Sequence, residues 1–155
     1  MIVYRTAEVN DIPELVQCRI QQLDDEEEHP QRDIREDLCV WFTRVLQNQT
    51  LYQIVAEDEG KIVATGGLLE LDMPPGFFEY HGKTGYITNM YTVREYRHRG
   101  IASEILEQLK QEAVHRKMDR LILGASVWGE PVYRRSGFVP LKDWMEYALT
   151  DSEES

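Results

Sequence analysis

One stretch narrows the folds open to this chain more than any other. Gly85 to Val93 has strand character. Gly100 to Lys117 then repeats Ile101, Ile105, Leu109 and Ala113 four apart, as a helix with one buried stripe requires. Asp119 to Ala125 returns to a short apolar run. A strand, a helix and a strand this close together join as one right-handed parallel crossover.

Everything upstream adds antiparallel pairing. Residues 2–6 alternate like a strand. Asn10 or Asp11 is placed to cap a helix that tolerates Pro13 in its first turn, with Ile12, Leu15, Val16, Ile20 and Leu23 on one face. A second helix starts near Asp33, its stripe made of Ile34, Leu38, Trp41, Phe42, Val45 and Leu46. Residues 52–56 and Ile62 to Leu71 read as strands joined by the tight turn Asp58-Glu59-Gly60-Lys61. Met73-Pro74-Pro75-Gly76 ends the second of them. After the crossover, a short helix from Glu130 to Arg135 stops at Gly137, and Phe138 to Leu149 reads as a terminal strand or strand pair. The expected architecture is one α+β domain over residues 1–150. Its sheet is mixed but mostly antiparallel and is flanked by helices, with one parallel β-α-β crossover; residues 151–155 form a frayed tail.

Charge and composition exclude some functions. A formal charge of −11 over 155 residues disfavours nucleic acid and anionic membrane surfaces as partners, and suits a cationic small substrate. No apolar stretch is long enough to span a bilayer, and Met1 to Arg5 lacks the layout of a signal peptide, so a cytoplasmic location is expected. Cys18 and Cys39 have no metal or redox spacing. Both fall on helical stripes and are expected to be reduced core thiols.

The chemistry concentrates in Asn89-Met90-Tyr91-Thr92-Val93-Arg94-Glu95-Tyr96-Arg97-His98-Arg99-Gly100-Ile101-Ala102-Ser103. A strand runs through a basic loop directly into a helix. The first amides of a helix have no intrahelical acceptor, and the helix dipole adds positive potential, so this junction is an anion site. Gly100 permits close approach of backbone to ligand, and Arg97 and Arg99 supply charge. A diphosphate fits. The glycine patterns of the two common nucleotide-binding loops are absent.

The segment Arg97-x-x-Gly100-x-Ala102 after a hydrophobic strand resembles the acetyl-coenzyme A signature of the GNAT superfamily of N-acetyltransferases. A second block, Ser126-Val127-Trp128-Gly129-Glu130-Pro131-Val132-Tyr133 up to Gly137-Phe138, resembles the closing motif of that family, and the order of elements is similar over nearly the whole chain. The resemblance implies a splay between two coenzyme-binding strands. It implies that Met90, Tyr91 and Thr92 offer backbone groups to the pantetheine arm, a form of strand addition. His98, Arg99, Gly100, Ile101, Ala102 and Ser103 would form the pyrophosphate loop with Arg97 beside them. Ser126 would also contact the coenzyme, and Tyr133 would lie near its sulfur. Three positions depart from the family pattern: Arg94 replaces a common Pro, Ser126 a common Asn, and Tyr86 stands where some members carry a catalytic Glu.

The activity implied is transfer of an acetyl group from acetyl-CoA to a primary amine by direct attack in a ternary complex, without a metal. Tyr133 would be the general acid for the departing thiolate. Glu70, Glu79, His81 and the Asp24–Glu28 run are the candidates for facing the amine. Trp41 and Phe42 would pack in the core, and His115 would favour the C-terminal dipole of its helix. Similar proteins often form homodimers. The alternative is a non-catalytic coenzyme A-binding sensor or interaction module of the same fold.

Overall fold

A computed structural model describes residues 1–26 and 32–150 of the chain. The elements are β1 (Ile2–Thr6), α1 (Ile12–Asp25), α2 (Arg35–Gln47), β2 (Leu51–Asp58), β3 (Lys61–Asp72), β4 (Lys83–Thr92), α3 (Ile101–His115), β5 (Arg120–Ile122) and α4 (Glu130–Arg135). The five strands form one sheet in the order β1-β2-β3-β4-β5. The first four pair antiparallel and β4 pairs parallel to β5, across the crossover through α3.

Both faces of the sheet are covered. Along β2, Ile54 points into a cluster with Ala64, Leu68, Ile87 and the α3 residues Ile105, Leu106 and Leu109. Its neighbour Val55 points the other way, among Leu15, Phe42, Val45 and Leu51 under α1 and α2. Central strands covered on both sides lose polar alternation, and β2 and β3 are buried almost continuously. The β2–β3 turn places Glu59 and Gly60 both at positive φ (51° and 79°), the two-residue geometry that matches strand twist.

Four expectations need correction. Asp11 does not cap α1 with its side chain. It takes two hydrogen bonds from Arg5 at 2.8 Å and one from the Glu8 amide at 2.7 Å, tying β1 to the helix start. Cys39 is exposed on the outer side of α2, because the stripe through Phe42 and Val45 leaves it facing water; Cys18 is half-buried. The last strand is shorter than the apolar run suggests, since only Arg120 to Ile122 reach β4. Residues 138–149 form no strand within the chain, because no described segment pairs with them. The expected tail 151–155 and residues 27–28 of the acidic run lie outside the described residues.

Candidate active site

The site begins with a defect in β4. Thr65 is opposite Tyr91 and Gly67 is opposite Thr88, so Asn89 and Met90 together face Gly66 as a β-bulge. Asn89 adopts φ of +56°, a conformation Asn tolerates better than most residues. Its buried side chain donates to Gln53 Oε1 (3.4 Å). Gln53 Nε2 donates to Thr65 Oγ1 (2.7 Å), and Thr65 Oγ1 donates to the Ile54 carbonyl (2.7 Å). Gly66 is glycine for lack of space: a Cβ there would lie 2.3 Å from Met90 Sδ and 2.7 Å from Ile105 Cγ2. The Met90 side chain thus packs inward over Gly66.

The bulge lies just beyond the point where β5 leaves β4. Pairing with β5 covers only Thr84 to Tyr86, so among the described residues the same edge from Ile87 through Thr92 has no strand beside it. This is the expected splay. Met90, Tyr91 and Thr92 lie on that stretch, with backbone available for strand addition.

The edge leads into the anion loop. A single 3-10 turn, Arg94–Tyr96, is followed by His98 and Gly100 at positive φ (64° and 79°), and α3 begins at Ile101. The helical bond from the Glu104 amide to the Gly100 carbonyl (3.1 Å) leaves the amides of Ile101, Ala102 and Ser103 without intrahelical acceptors. A Cβ on Gly100 would meet nothing within 4 Å, so the space beside it is open and only its φ demands glycine. Arg99 lies over the Tyr96 ring (5.0 Å to the centroid), and the Tyr96 hydroxyl donates to Asp58 at 2.7 Å. Arg97 is paired within the chain. Its Nε donates to the Thr92 carbonyl (2.9 Å) and its guanidinium pairs with Asp25 (2.8 Å) at the end of α1. Burial alone would raise the Asp25 pKa. Hydrogen bonds from Gln21 and Arg97, with the charges of Arg97 and Arg94, hold the carboxyl below its ordinary range instead.

Tyr133 lies on α4, partly buried against the cluster that contains Ile105, Leu106 and Leu109. Its ring packs edge-on to Phe138 (centroids 6.0 Å apart), and a Cβ on Gly129 would approach it to 3.0 Å. Burial, then the negative charge of Glu26, then Tyr86, push its phenol up to about 12. Ser126 Oγ accepts the Gly129 amide (3.1 Å) at the start of α4, which leaves the hydroxyl proton free to donate.

The carboxylates near the meander divide. Glu70 faces Arg116 (3.8 Å) at the C-terminal end of α3, away from the anion loop. Glu79 and His81 lie in the β3–β4 loop, where Asp119 accepts the His81 amide (3.2 Å). Phe42 is fully buried and Trp41 packs against it, as helical spacing implied. Among the described residues no group of three His, Cys, Asp or Glu side chains converges as a metal site. The sequence gives no role to Gln53, Thr65 or Gly66, and names Asp25 and Asn89 only as members of longer stretches. The Gly66-Gly67 pair inside a strand pattern was the available signal for the bulge.

The fold is shared with known proteins. The family model described as acetyltransferase (GNAT) family matches residues 15–138. The crystal structure of a predicted acetyltransferase from Clostridium acetobutylicum, with acetyl-CoA, is similar at 40% identity and a TM-score of 0.93, covering 96% of this chain and 97% of that one. A GCN5-related N-acetyltransferase from Ralstonia eutropha shares the fold at 22% identity (TM-score 0.83, 96% and 99% covered). Glucosamine-6-phosphate N-acetyltransferase from Arabidopsis thaliana does so at 19% (TM-score 0.74, 97% and 99% covered). A search of curated proteins finds no significant match. With the family match spanning most of its length and a close relative aligned end to end, this chain belongs to the GNAT family of acetyltransferases.

Proposed function

We infer that this member of the family transfers the acetyl group of acetyl-CoA to a primary amine by direct attack in a ternary complex. The observation that carries the reading is the continuity of three features: an unpaired β4 edge at Met90 to Thr92, an open helix start at Gly100 to Ser103, and a buried phenol at Tyr133. The residues fit the coenzyme in charge and shape. The α3 amides with His98 and Arg99 suit a diphosphate, the β4 edge suits an amide-bearing arm, and Ser126 has a hydroxyl proton to offer. Arg97 serves by holding the loop against α1. When bound, the coenzyme supplies an acyl group activated as a thioester.

The neutral amine attacks the thioester carbonyl carbon, so that a C–N bond forms as the C–S bond breaks. Negative charge collects on the carbonyl oxygen, where the Met90 or Tyr91 amide can donate. The nitrogen loses one proton to water and the sulfur gains one from Tyr133, which is then reprotonated from solvent. A phenol raised to about 12 keeps its proton at neutral pH and is therefore in the right form for an acid. A cytoplasmic location and pairing of two copies belong to the same reading. No helix among the described residues is long and apolar enough to cross a membrane.

The test is a panel of primary amines, polyamines and amino sugars included, assayed by free-thiol release from acetyl-CoA. Amine-dependent release well above hydrolysis is expected. Gly100→Glu should abolish the rise in melting temperature that acetyl-CoA gives the wild type, by putting bulk and charge in the diphosphate path. Binding without amine-dependent release would overturn the enzyme reading; an unchanged thermal shift in Gly100→Glu would overturn the coenzyme site.

A further inference from the structure

Two arginines of the anion loop are held in different ways. Arg97 is taken by Asp25, whereas Arg99 forms no ion pair among the described residues. It lies instead over the Tyr96 ring, with Cζ 5.0 Å from the centroid. A guanidinium held over a ring by its charge spends none of its N–H donors, so all of them remain for an anion. An exposed arginine gives up rotamer freedom when it grips a ligand, and a prior rest for its head group lowers that cost. The ring is therefore useful only as far as it is itself fixed.

Two contacts fix it. Tyr96 closes the 3-10 turn after β4, and its ring packs against the cluster that contains Ile101 and Ile105. Its hydroxyl then donates to Asp58 Oδ2 at 2.7 Å, 38 residues away in sequence. That bond is the main cause holding the Asp58 carboxyl below its ordinary range and the Tyr96 phenol above its own, so at neutral pH the donor keeps its proton and the acceptor its charge. Asp58 is a firm base for the contact. It ends β2, opposite Ile2 of β1 on one side and Lys61 of β3 on the other, beside the Glu59-Gly60 turn. Its second oxygen accepts from the Met1 amino group at 3.4 Å, so both oxygens are engaged.

We propose that Asp58 is a positioning residue for the coenzyme: through the Tyr96 hydroxyl and ring it presents Arg99 to the diphosphate. This role rests on the acetyl-CoA reading above and extends it to the β2–β3 turn, which lies outside both sequence motifs. The sign of the effect distinguishes it from a simple charge. As a bare negative charge near an anion site, Asp58 opposes phosphate, and removing it would tighten coenzyme binding. As the anchor of Tyr96, its removal loosens binding despite the charge taken away.

Calorimetric titration of the full chain with acetyl-CoA tests this without an acceptor amine. Asp58→Ala and Tyr96→Phe should each raise the Kd about three- to tenfold, which is what one hydrogen bond is worth. Asp58→Asn keeps an acceptor for Tyr96 and should recover most of that loss. In an Arg99→Ala background, Tyr96→Phe should add nothing. With the best amine of the panel, Tyr96→Phe should keep its kcat/KM for S-acetylpantetheine, which carries the thioester without the phosphates, and lose it only for acetyl-CoA. Tyr96→Phe changes a single oxygen atom, so it carries the test if Asp58→Ala does not fold. A folded Tyr96→Phe whose Kd is unchanged or lower, an equal loss with both thioesters, full additivity with Arg99→Ala, or no recovery in Asp58→Asn would each overturn the positioning role and leave the coenzyme site standing. An Arg99→Ala variant with unchanged Kd would overturn the diphosphate loop itself, and the role of Asp58 with it.

Discussion

The Arg97 guanidinium donates to the Asp25 carboxylate at 2.8 Å, joining the last turn of α1 to the loop that opens α3 across 72 residues of sequence. Both side chains are about one-third exposed, so the pair contributes modestly to stability, about 0.5–1 kcal/mol by a double-mutant cycle. Its larger consequence is for coenzyme binding. If Arg97 acted on phosphate directly, Asp25→Ala would free it and lower the KM for acetyl-CoA. With Arg97 holding the loop, Asp25→Ala raises that KM severalfold, in the same direction as Arg97→Ala, and changes kcat less. Steady-state kinetics of the two variants decide by the sign alone.

Tyr133→Phe keeps the ring against Phe138 and Gly129 and removes only the proton. A fall in kcat of about a hundredfold or more is expected, with coenzyme Kd little changed. A loss within about threefold would end the general-acid assignment. Burial places this phenol near 12, against 10 when unfolded. Below pH 10 both states hold the proton, so Tyr133 adds no pH dependence there and its ionisation gives kcat no alkaline limb. Between about pH 10 and 12 the unfolded state ionises first, and stability falls with rising pH. Denaturant melts in that window should show a smaller decline for Tyr133→Phe than for wild type.

The bulge in β4 depends on Asn89 and Gly66. Asn89→Ala removes a side chain suited to positive φ and leaves Gln53 without its donor in a buried network. Gly66→Ala drives a methyl group into Met90 and Ile105. Each should destabilise by about 1–3 kcal/mol. Because Met90 is part of the bulge and Tyr91 and Thr92 follow it, each should also raise the KM for acetyl-CoA, whereas a core truncation of equal cost on α2, such as Val45→Ala, should not. Thermal melts paired with kinetics separate the two.

The cysteines should react in a fixed order. Cys39 is exposed, whereas burial and then the charge of Glu14 push the Cys18 thiol up to about 11. Near neutral pH almost none of Cys18 is thiolate, and its labelling becomes appreciable only as pH climbs toward that value. A thiol reagent should modify one site rapidly and the second slowly, and Cys39→Ser should abolish the fast phase.

The elements of this fold were legible in the sequence because each is specified within itself. The four-residue spacing of Ile101, Ile105, Leu109 and Ala113, the Glu59-Gly60 turn and the glycine after α4 are local instructions. The anion loop was legible for the same reason, since strand, basic loop and helix start are contiguous. Tertiary structure alone decided where side chains from distant segments meet. Arg97 is a free cation in the sequence and an ion-paired one in the fold, because Asp25 arrives from α1. Gln53, Thr65 and Asn89 are unremarkable polar residues until three adjacent strands stack them out of water, where each must find a partner or cost stability. Residues 145–149 show the converse: their alternation specifies a strand, but a strand exists only against another edge, and no described segment pairs with them.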